Sequence, residues 1–533
     1  MLRDETRRVP LHSRRTFLTT TGSALGGAAL GLVGHATTET QPPQRGGILR
    51  FATRSDALGL DPHRHLFYPV SVPLAATLQG LLDLNLRSEP VPGVAAEWDV
   101  SHDLRTYTFR LRRGVLFHNG REVDAAAVAW NFARMQDAAT SHPFIRSTLL
   151  NLHTAEIVDR YTVRFRLHQP SAAFPANVVY YPCSLIAPQS AARARKHPIG
   201  CGPFRVVRWE RDQVTELARF AHYFETDRAG ASLPYLDGMV GRPKPADPVR
   251  LIRLRSGQAD LIETVAYADV GTFSGHDTAH FRTWDVPTLG TSYILFNLDS
   301  GPFREKRLRQ AAAHAIDHDV LKRVVFYSRG ETARGFYAAS SPWYADGIRP
   351  WPAYDPDQAK FLLRQARAVG TPVILHSLRT SPYMRQTAAL IQGMWSEVGF
   401  QVAHQMYDAP VLARKRRARA FHAESTAASY RFDPDGWFSR HLLSTAASTR
   451  AASGFHHGQA DTLITTARGT PDKPKRLDLY AEVDSLVNEE LPLLYLHHLT
   501  LLEVGVRRLK GYQPAISGLF STHGAGIRTA WLT

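Results

Sequence analysis

Residues 107–120 read YTFRLRRGVLFHNG, and the first half of this stretch decides how the chain folds. With Thr106 in front, the residues alternate strictly, placing Tyr107, Phe109 and Leu111 on one side of an extended chain. A period of two is what a strand buried on one face requires. Residues 161–167, YTVRFRL, repeat the pattern with Val163, Phe165 and Leu167 inward. Between the two strands, Asp124 stands where a helix cap belongs, and Val128, Phe132 and Met135 follow at spacings of four and three. Further on, Asp355-Pro356 predicts a helix start, with Ala359, Leu362, Leu363 and Ala366 as the apolar stripe. Met384, Ala388, Ile391, Trp395 and Val398 form another stripe, closed by Gly399 where a left-handed cap fits, and the strand 400–402 follows at once. Strands and amphipathic helices mixed in this way predict an α/β fold with mixed sheets. No internal repeat or long linker separates modules, so the domains are expected to interleave in sequence.

The chain of 533 residues is 44% hydrophobic and 21% charged, a globular composition. It opens with SRRTFLTTTGSALGGAALGLVGHA at 13–36: paired arginines, an Ala/Gly-rich apolar stretch, then a small-residue ending. That order predicts a signal peptide at 1–36, cleaved near Ala36, of the twin-arginine type. A membrane anchor is the competing reading, but the stretch is short and glycine-broken where a spanning helix wants about 20 apolar residues. No cysteine follows it to carry a lipid. The remaining ~500 residues suit two or three domains. The 64 Lys+Arg against 48 Asp+Glu leave a formal charge of +16. Its dispersion along the chain favours a solvated basic surface and no nucleic-acid partner; the densest run, 414–419, falls on a predicted helix with no nucleic-acid motif beside it. The two cysteines, Cys183 and Cys201, can form a disulfide in an exported protein or remain two buried thiols.

Catalytic signatures are missing. The sequence holds no G-x-S-x-G elbow, no H-E-x-x-H and no P-loop. His456-His457 and His497-His498 lack flanking ligands at metal-binding spacing, so no metal and no cofactor are expected. Asp433 and Asp435 in RFDPDGW read as a turn rather than an acid/base pair, because Asp bonds its own backbone and Pro fixes φ.

The ordered set GGIL (46–49), LDPH (60–63), EW (97–98), YTFRLRRGVLFHNG (107–120), DAAAV (124–128), GCGPF (200–204), YLDG (235–238), LRSGQAD (254–260), FN (296–297), AID (315–317), YDPDQA (354–359) and ELP (490–492) resembles the solute-binding proteins of ATP-binding-cassette importers, in the large peptide/nickel/opine class, family 5. Cys201 stands where the family's motif has Thr. The resemblance covers essentially the whole chain after the signal. It implies a two-lobed periplasmic-binding-protein fold (type II, large peptide-binding class) with an extra inserted domain in the first lobe. The first-lobe core would comprise 37–80, 200–284 and 500–533, the inserted domain 81–199, and the second lobe 285–499. The implied function is an extracytoplasmic, periplasmic receptor, monomeric and not an enzyme. It would bind a peptide or peptide-like ligand between the lobes and deliver it to permease subunits, having met the twin-arginine translocon during export. The same fold could instead hold an opine, oligosaccharide, nickel chelate or haem, and a hydrolase exported by the same route is the alternative of another class. Carried over by position, the ligand contacts are Leu66, Phe67 and Tyr68, then Tyr267, then Thr426, Ser429, Tyr430 and Arg431. One departure stands out. Peptide-binding relatives place an aspartate for the ligand's ammonium three residues before the acidic-Pro pair, and that position is Tyr430 here. A phenol is no fixed counter-charge for an ammonium.

Overall fold

The structure is a computed structural model and describes residues 41–65, 68–263, 265–428, 431–517 and 521–533. The signal segment and the site residues Leu66, Phe67, Ser429 and Tyr430 lie outside the described residues.

The alternating strands form as their pattern dictates. Thr106–Leu111 and Thr162–Leu167 pair antiparallel inside a four-stranded sheet that also contains Ala95–Val100 and Leu152–Asp159. Their inward residues Tyr107, Phe109, Leu111, Val163, Phe165 and Leu167 are all buried. Helix Ala125–Gln136 covers that face, with the Asp124 carboxylate accepting from Ala127 N at 2.8 Å and Phe132 packed edge-on to Phe165 at 4.7 Å.

Among the described residues the large sheet has eleven strands of mixed direction, one of them the short Glu331–Thr332, which pairs with Leu493–Val506 off the main order. Its spine is an antiparallel pair of long strands, Phe281–Phe296 and Leu493–Val506. On one side lie Leu261–Ile262, Ile48–Thr53, Gly238–Pro243, Val214–Arg219 and Phe204–Glu210; on the other lie Ala423–Ala428, Pro372–Leu378 and Gln401–Tyr407. The register of the long pair shifts between Pro287 and Thr291. Proline has no N–H for the ladder, and here the Thr288 hydroxyl bridges the break, donating to Leu499 O at 2.8 Å and accepting from Gly290 N at 3.1 Å. Both long strands thus run through the two halves of the sheet with an irregularity at the crossing.

Helix Pro356–Gln365 is capped by Asp355, and Ala366 is its C-cap, only partly buried. Helix Pro382–Val398 ends on Gly399 at φ +118°, a conformation that suits a residue without Cβ. Gly200 and Gly202 have a different cause: a Cβ on either would stand 2.4–2.7 Å from Thr77 O, so the GCGPF loop needs glycine to pass this backbone. Both thiols are free and buried, Cys183 donating to Asn177 O and Cys201 to Gln79 O. The two-thiol alternative is therefore the one the fold adopts.

One apolar core joins the four-stranded sheet and its helix to Tyr293, Phe336, Trp437, Tyr480 and Tyr495 from the chain's second half. Several titratable groups are buried in or beside such cores. Burial pushes His63 and His497 down to about 4, and His318 and His498 down to about 3. It lifts Glu263 and Asp484 to about 7 and Glu503 to about 8. The histidines stay neutral when folded but take up protons below 6.5 when unfolded, so they favour unfolding as pH falls from 6.5 toward 3. The carboxyls stay protonated when folded but ionise near 4 when unfolded, so stability falls as pH rises toward 8. The two trends oppose each other between about pH 4.5 and 6.5. A melting-temperature profile should show a plateau there and fall on both sides. Glu503→Gln, which keeps an acceptor for the Tyr512 hydroxyl at 2.6 Å, should flatten the alkaline limb; an unchanged limb would place that loss elsewhere.

Candidate functional site

Strand Ala423–Ala428 lies antiparallel to Phe281–Phe296 and sets Thr426 opposite Tyr293. Past the strand, Arg431 leads into the turn before helix Asp435–His441. Asp433 accepts from Asp435 N at 3.0 Å, the self-bonded Asp-Pro-Asp turn expected from sequence. Arg431 is held from both ends: its carbonyl accepts from the Tyr337 hydroxyl at 3.1 Å, and its Nε donates to Gly436 O at 3.3 Å. Its guanidinium also bonds the Tyr180 phenol. Tyr180 stands 4.7 Å from Phe432 and 6.1 Å from Phe144, ring to ring. Arg440, one turn past the start of the helix, lies over Phe144 at 4.8 Å and donates to Ser147 Oγ at 3.3 Å. An aromatic row, Phe144–Tyr180–Phe432, therefore fills the seam where residues 143–181 meet 431–441, with a guanidinium on each flank.

Tyr267 belongs to a second cluster. Its hydroxyl donates to Thr500 O at 2.9 Å and accepts from Thr500 N at 3.1 Å, and its ring meets Phe326 edge-on at 5.7 Å. Desolvation pushes its phenol up to about 12. Tyr383, at the start of helix Pro382–Val398, lies within electrostatic reach of Tyr267, Arg54 and Tyr293, and desolvation raises it too. Tyr293 thus connects the two clusters, since it also feels Arg416, Glu424 and Arg431. Tyr68 is the first residue of helix Tyr68–Thr77. Of the residues expected from sequence, Tyr267, Thr426 and Arg431 gather around this tyrosine chain.

Sequence reading missed Tyr180, Tyr293, Tyr337, Tyr383 and Arg440. A signal existed for two of them: Tyr383 lies off the apolar stripe of its helix, and Tyr180-Tyr181 is an aromatic pair in a loop. The others are tied to the seam only through contacts between distant segments.

The charges along 424–441 are mostly matched. Asp433 pairs with Arg476 at 2.6 Å, both buried; Asp435 pairs with Arg468 at 3.0 Å; Glu424 pairs with Arg416. His441 stacks on Trp437 at 4.0 Å. Burial, then the fields of Arg431, Arg440 and Arg416, hold it well below its ordinary value and keep it neutral. One member of each histidine pair is engaged within the protein: His457 caps a helix by accepting from Ala460 N, and His498 Nδ1 meets the Thr291 hydroxyl at 3.0 Å. Among the described residues, one set of metal-type ligands converges, Asp83, Glu225 and His523. The Arg528 guanidinium already bonds both carboxylates of that set, so a cation's place is taken.

Residues 89–450 match the family of bacterial extracellular solute-binding proteins, family 5 (middle). The chain belongs to this family. Among its relatives is the dipeptide-binding protein of Escherichia coli (strain K12), 27% identical over 458 residues that cover 80% of this chain and 84% of the relative. The glutathione-binding protein GsiB of Pectobacterium atrosepticum is 27% identical over 469 residues, covering 84% and 88%. Among solved structures, the ABC transporter-associated periplasmic binding protein DppA of Helicobacter pylori, in complex with the peptide STSA, superposes with a TM-score of 0.78 at 23% identity, covering 92% of this chain and 98% of that one. These matches establish the two-lobed α/β fold of the large peptide-binding class. Family 5 consists of solute-binding proteins of ABC importers, working outside the cytoplasm with a membrane permease. Among the described residues, no helix is long and apolar enough to cross a membrane.

Proposed function

We propose that this protein is an exported, non-enzymatic receptor that closes two lobes on a peptide or peptide-like solute and presents it to the permease of an ABC importer. The observation that carries this reading is the long pair Phe281–Phe296 and Leu493–Val506, whose register breaks at Pro287–Thr291 beside the tyrosine chain. In this reading 37–80, 200–284 and 500–533 form the first lobe, 81–199 an inserted domain and 285–499 the second lobe. The boundaries near 284 and 499 then fall where the long strands cross. Tyr267 and Tyr68 face the solute from the first lobe, and Thr426 and Arg431 from the second, with Leu66, Phe67, Ser429 and Tyr430 completing the wall. Closure is a shift of population: a solute touching both lobes binds the closed state better and draws the protein into it. The leader at 13–36, with Arg14 and Arg15, supports export by the twin-arginine route as a folded monomer, and cleavage near Ala36 releases it to the periplasm.

One experiment tests the reading. The full chain is expressed in a host with a periplasm, beside a chain carrying Arg14→Lys and Arg15→Lys. Mature protein is expected in the periplasmic fraction only from the former. It is then unfolded, refolded free of copurified solute and melted against di- to hexapeptides, glutathione, opines, oligosaccharides, nickel chelates and haem. A solute at 100 times its Kd adds about 2.7 kcal/mol to stability. Peptides or glutathione should raise the melting temperature; a rise with non-peptide solutes alone would overturn the peptide assignment.

A further inference from the structure

A cleft of about 500 Å³ opens between the turn at 117–122, the first turns of helix Ala125–Gln136 and residues 188–189, with Arg160 beside it. Its volume falls in the range of about 300–1,000 Å³ that small-molecule sites occupy. All of its lining residues lie within 117–189 and none within 285–499, so it stands apart from the seam around Tyr267, Thr426 and Arg431. The turn is closed by two backbone bonds of 2.8 Å, Gly120 N to Phe117 O and Phe117 N to Arg121 O. Phe117 is buried and Trp130 partly buried, and they supply the aromatic part of the wall.

Four charged side chains line the cleft, two of each sign. Glu122 is engaged within the protein: it accepts from Gly114 N at 2.7 Å, from the Arg160 guanidinium at 2.8 Å and from the Tyr161 hydroxyl at 3.1 Å. Asp124 gives one oxygen to Ala127 N, at the start of the helix, and keeps the other. The Arg121 and Gln189 side chains, both exposed, and the Trp130 indole N–H make no hydrogen bond among the described residues. Exposed polar side chains ordinarily bind water. What distinguishes these is that they line one concave volume with an aromatic wall.

The charges around the cleft cancel formally, so nothing there selects for a strongly ionic ligand. The uncommitted groups mix donors, from guanidinium, indole and amide, with acceptors, the amide carbonyl and the second Asp124 oxygen. A hydroxyl both donates and accepts, so a ring bearing neighbouring hydroxyls matches such a mixed set. The planar guanidinium, amide and carboxylate groups can each meet two such hydroxyls at once. The C–H face of the same ring is apolar and packs on an aromatic side chain.

We propose that this cleft, with Trp130 in its wall and Arg121, Asp124 and Gln189 as its hydrogen-bonding groups, binds a saccharide at a site separate from that of the imported solute. A free sugar and the end of a glycan polymer present the same chemistry.

The test is saturation-transfer NMR on the purified mature protein with glucose, cellobiose and N,N′-diacetylchitobiose. Each is used at about 10 mM, ten times a weak Kd of about 1 mM, and citrate serves as an anionic control. Trp130→Leu, Arg121→Ala and Gln189→Ala are measured in parallel, with melting curves to show that each is folded. Trp130 also packs against an apolar cluster that includes Leu60 and Ile186, so the two exposed positions carry the test if the leucine variant does not fold. At least one sugar should bind and citrate should not. Arg121→Ala and Gln189→Ala should each weaken that sugar about 3- to 10-fold, the effect of one lost hydrogen bond. Retention of the protein on insoluble peptidoglycan, reversed by free disaccharide, would identify a polymer as the source of the saccharide; free sugars bound without retention would identify a soluble one. Either sustains the site. Silence from all three sugars would overturn it, whether or not citrate binds. Sugar binding undiminished in every folded variant would overturn the placement, and would leave the receptor reading untouched.

Discussion

Replacing Arg476 with methionine should cost the fold about 3–5 kcal/mol, the usual penalty for leaving one partner of a buried ion pair without the other. Arg476 and Asp433 are both almost completely buried and meet at 2.6 Å. The guanidinium also donates Nε to Ala467 O at 3.1 Å, and lies 4.9 Å over Trp343 and 5.7 Å over Tyr480. Methionine keeps much of the aliphatic packing, so the loss isolates the charge and its hydrogen bonds. Total stabilities of about 5–15 kcal/mol make this a large fraction. The double replacement Asp433→Leu with Arg476→Met should recover part of the loss, because no buried charge then remains unpaired. Recovery stays partial because Asp433 also accepts from Asp435 N and shapes the turn behind Arg431. Urea unfolding followed by tryptophan fluorescence reads both variants. A cost below about 1 kcal/mol for Arg476→Met would mean that water replaces the lost partner.

Trp437→Ala should cost a similar amount, about 3–5 kcal/mol, through cavity formation. Its side chain is fully buried. It stacks on Phe336 at 4.1 Å and on His441 at 4.0 Å, and meets Tyr293 edge-on at 5.3 Å. Its Nε1 donates to the Tyr495 hydroxyl at 3.1 Å, which in turn donates to Asp484 at 2.8 Å. Trp437→Phe should keep most of the packing and lose only that hydrogen bond, about 1 kcal/mol. The difference between the two variants therefore separates volume from polarity. Because this tryptophan fastens helix Asp435–His441 to both long strands, the alanine variant should also loosen Arg440 and weaken solute binding. The same unfolding experiment decides the matter: equal costs for Ala and Phe would show that the ring fills no essential space. Asp433, in the turn that leads into helix Asp435–His441, lies four residues from Trp437 on that helix, so their effects should not add.

Much of the fold could be read before any coordinates because its signals are local. The alternation of Tyr107, Phe109 and Leu111 needs only the geometry of one strand, and helix ends are marked by bonds to residues three or four positions away, from backbone N–H groups to the Asp124 and Asp355 carboxylates and from the Gly399 N–H to the last turn. The Asp-Pro-Asp turn at 433–435 was legible for the same reason. The site was legible only in part. Tyr267 and Arg431 were expected from their place in an ordered set of motifs, whereas their neighbours Tyr383 and Tyr180 are brought near them only by contacts between distant segments.

By itself, the sequence determined the strands and helices and their order, since hydrophobic period and capping act between residues a few positions apart, and its ordered motifs implied the two-lobed fold through their resemblance to family 5. Only the tertiary structure decided which charges meet. Asp433 finds Arg476 across 43 residues, and Arg440 reaches Ser147 across 293. Charge pairing depends on distance in space and on the removal of water, and neither is written in local spacing.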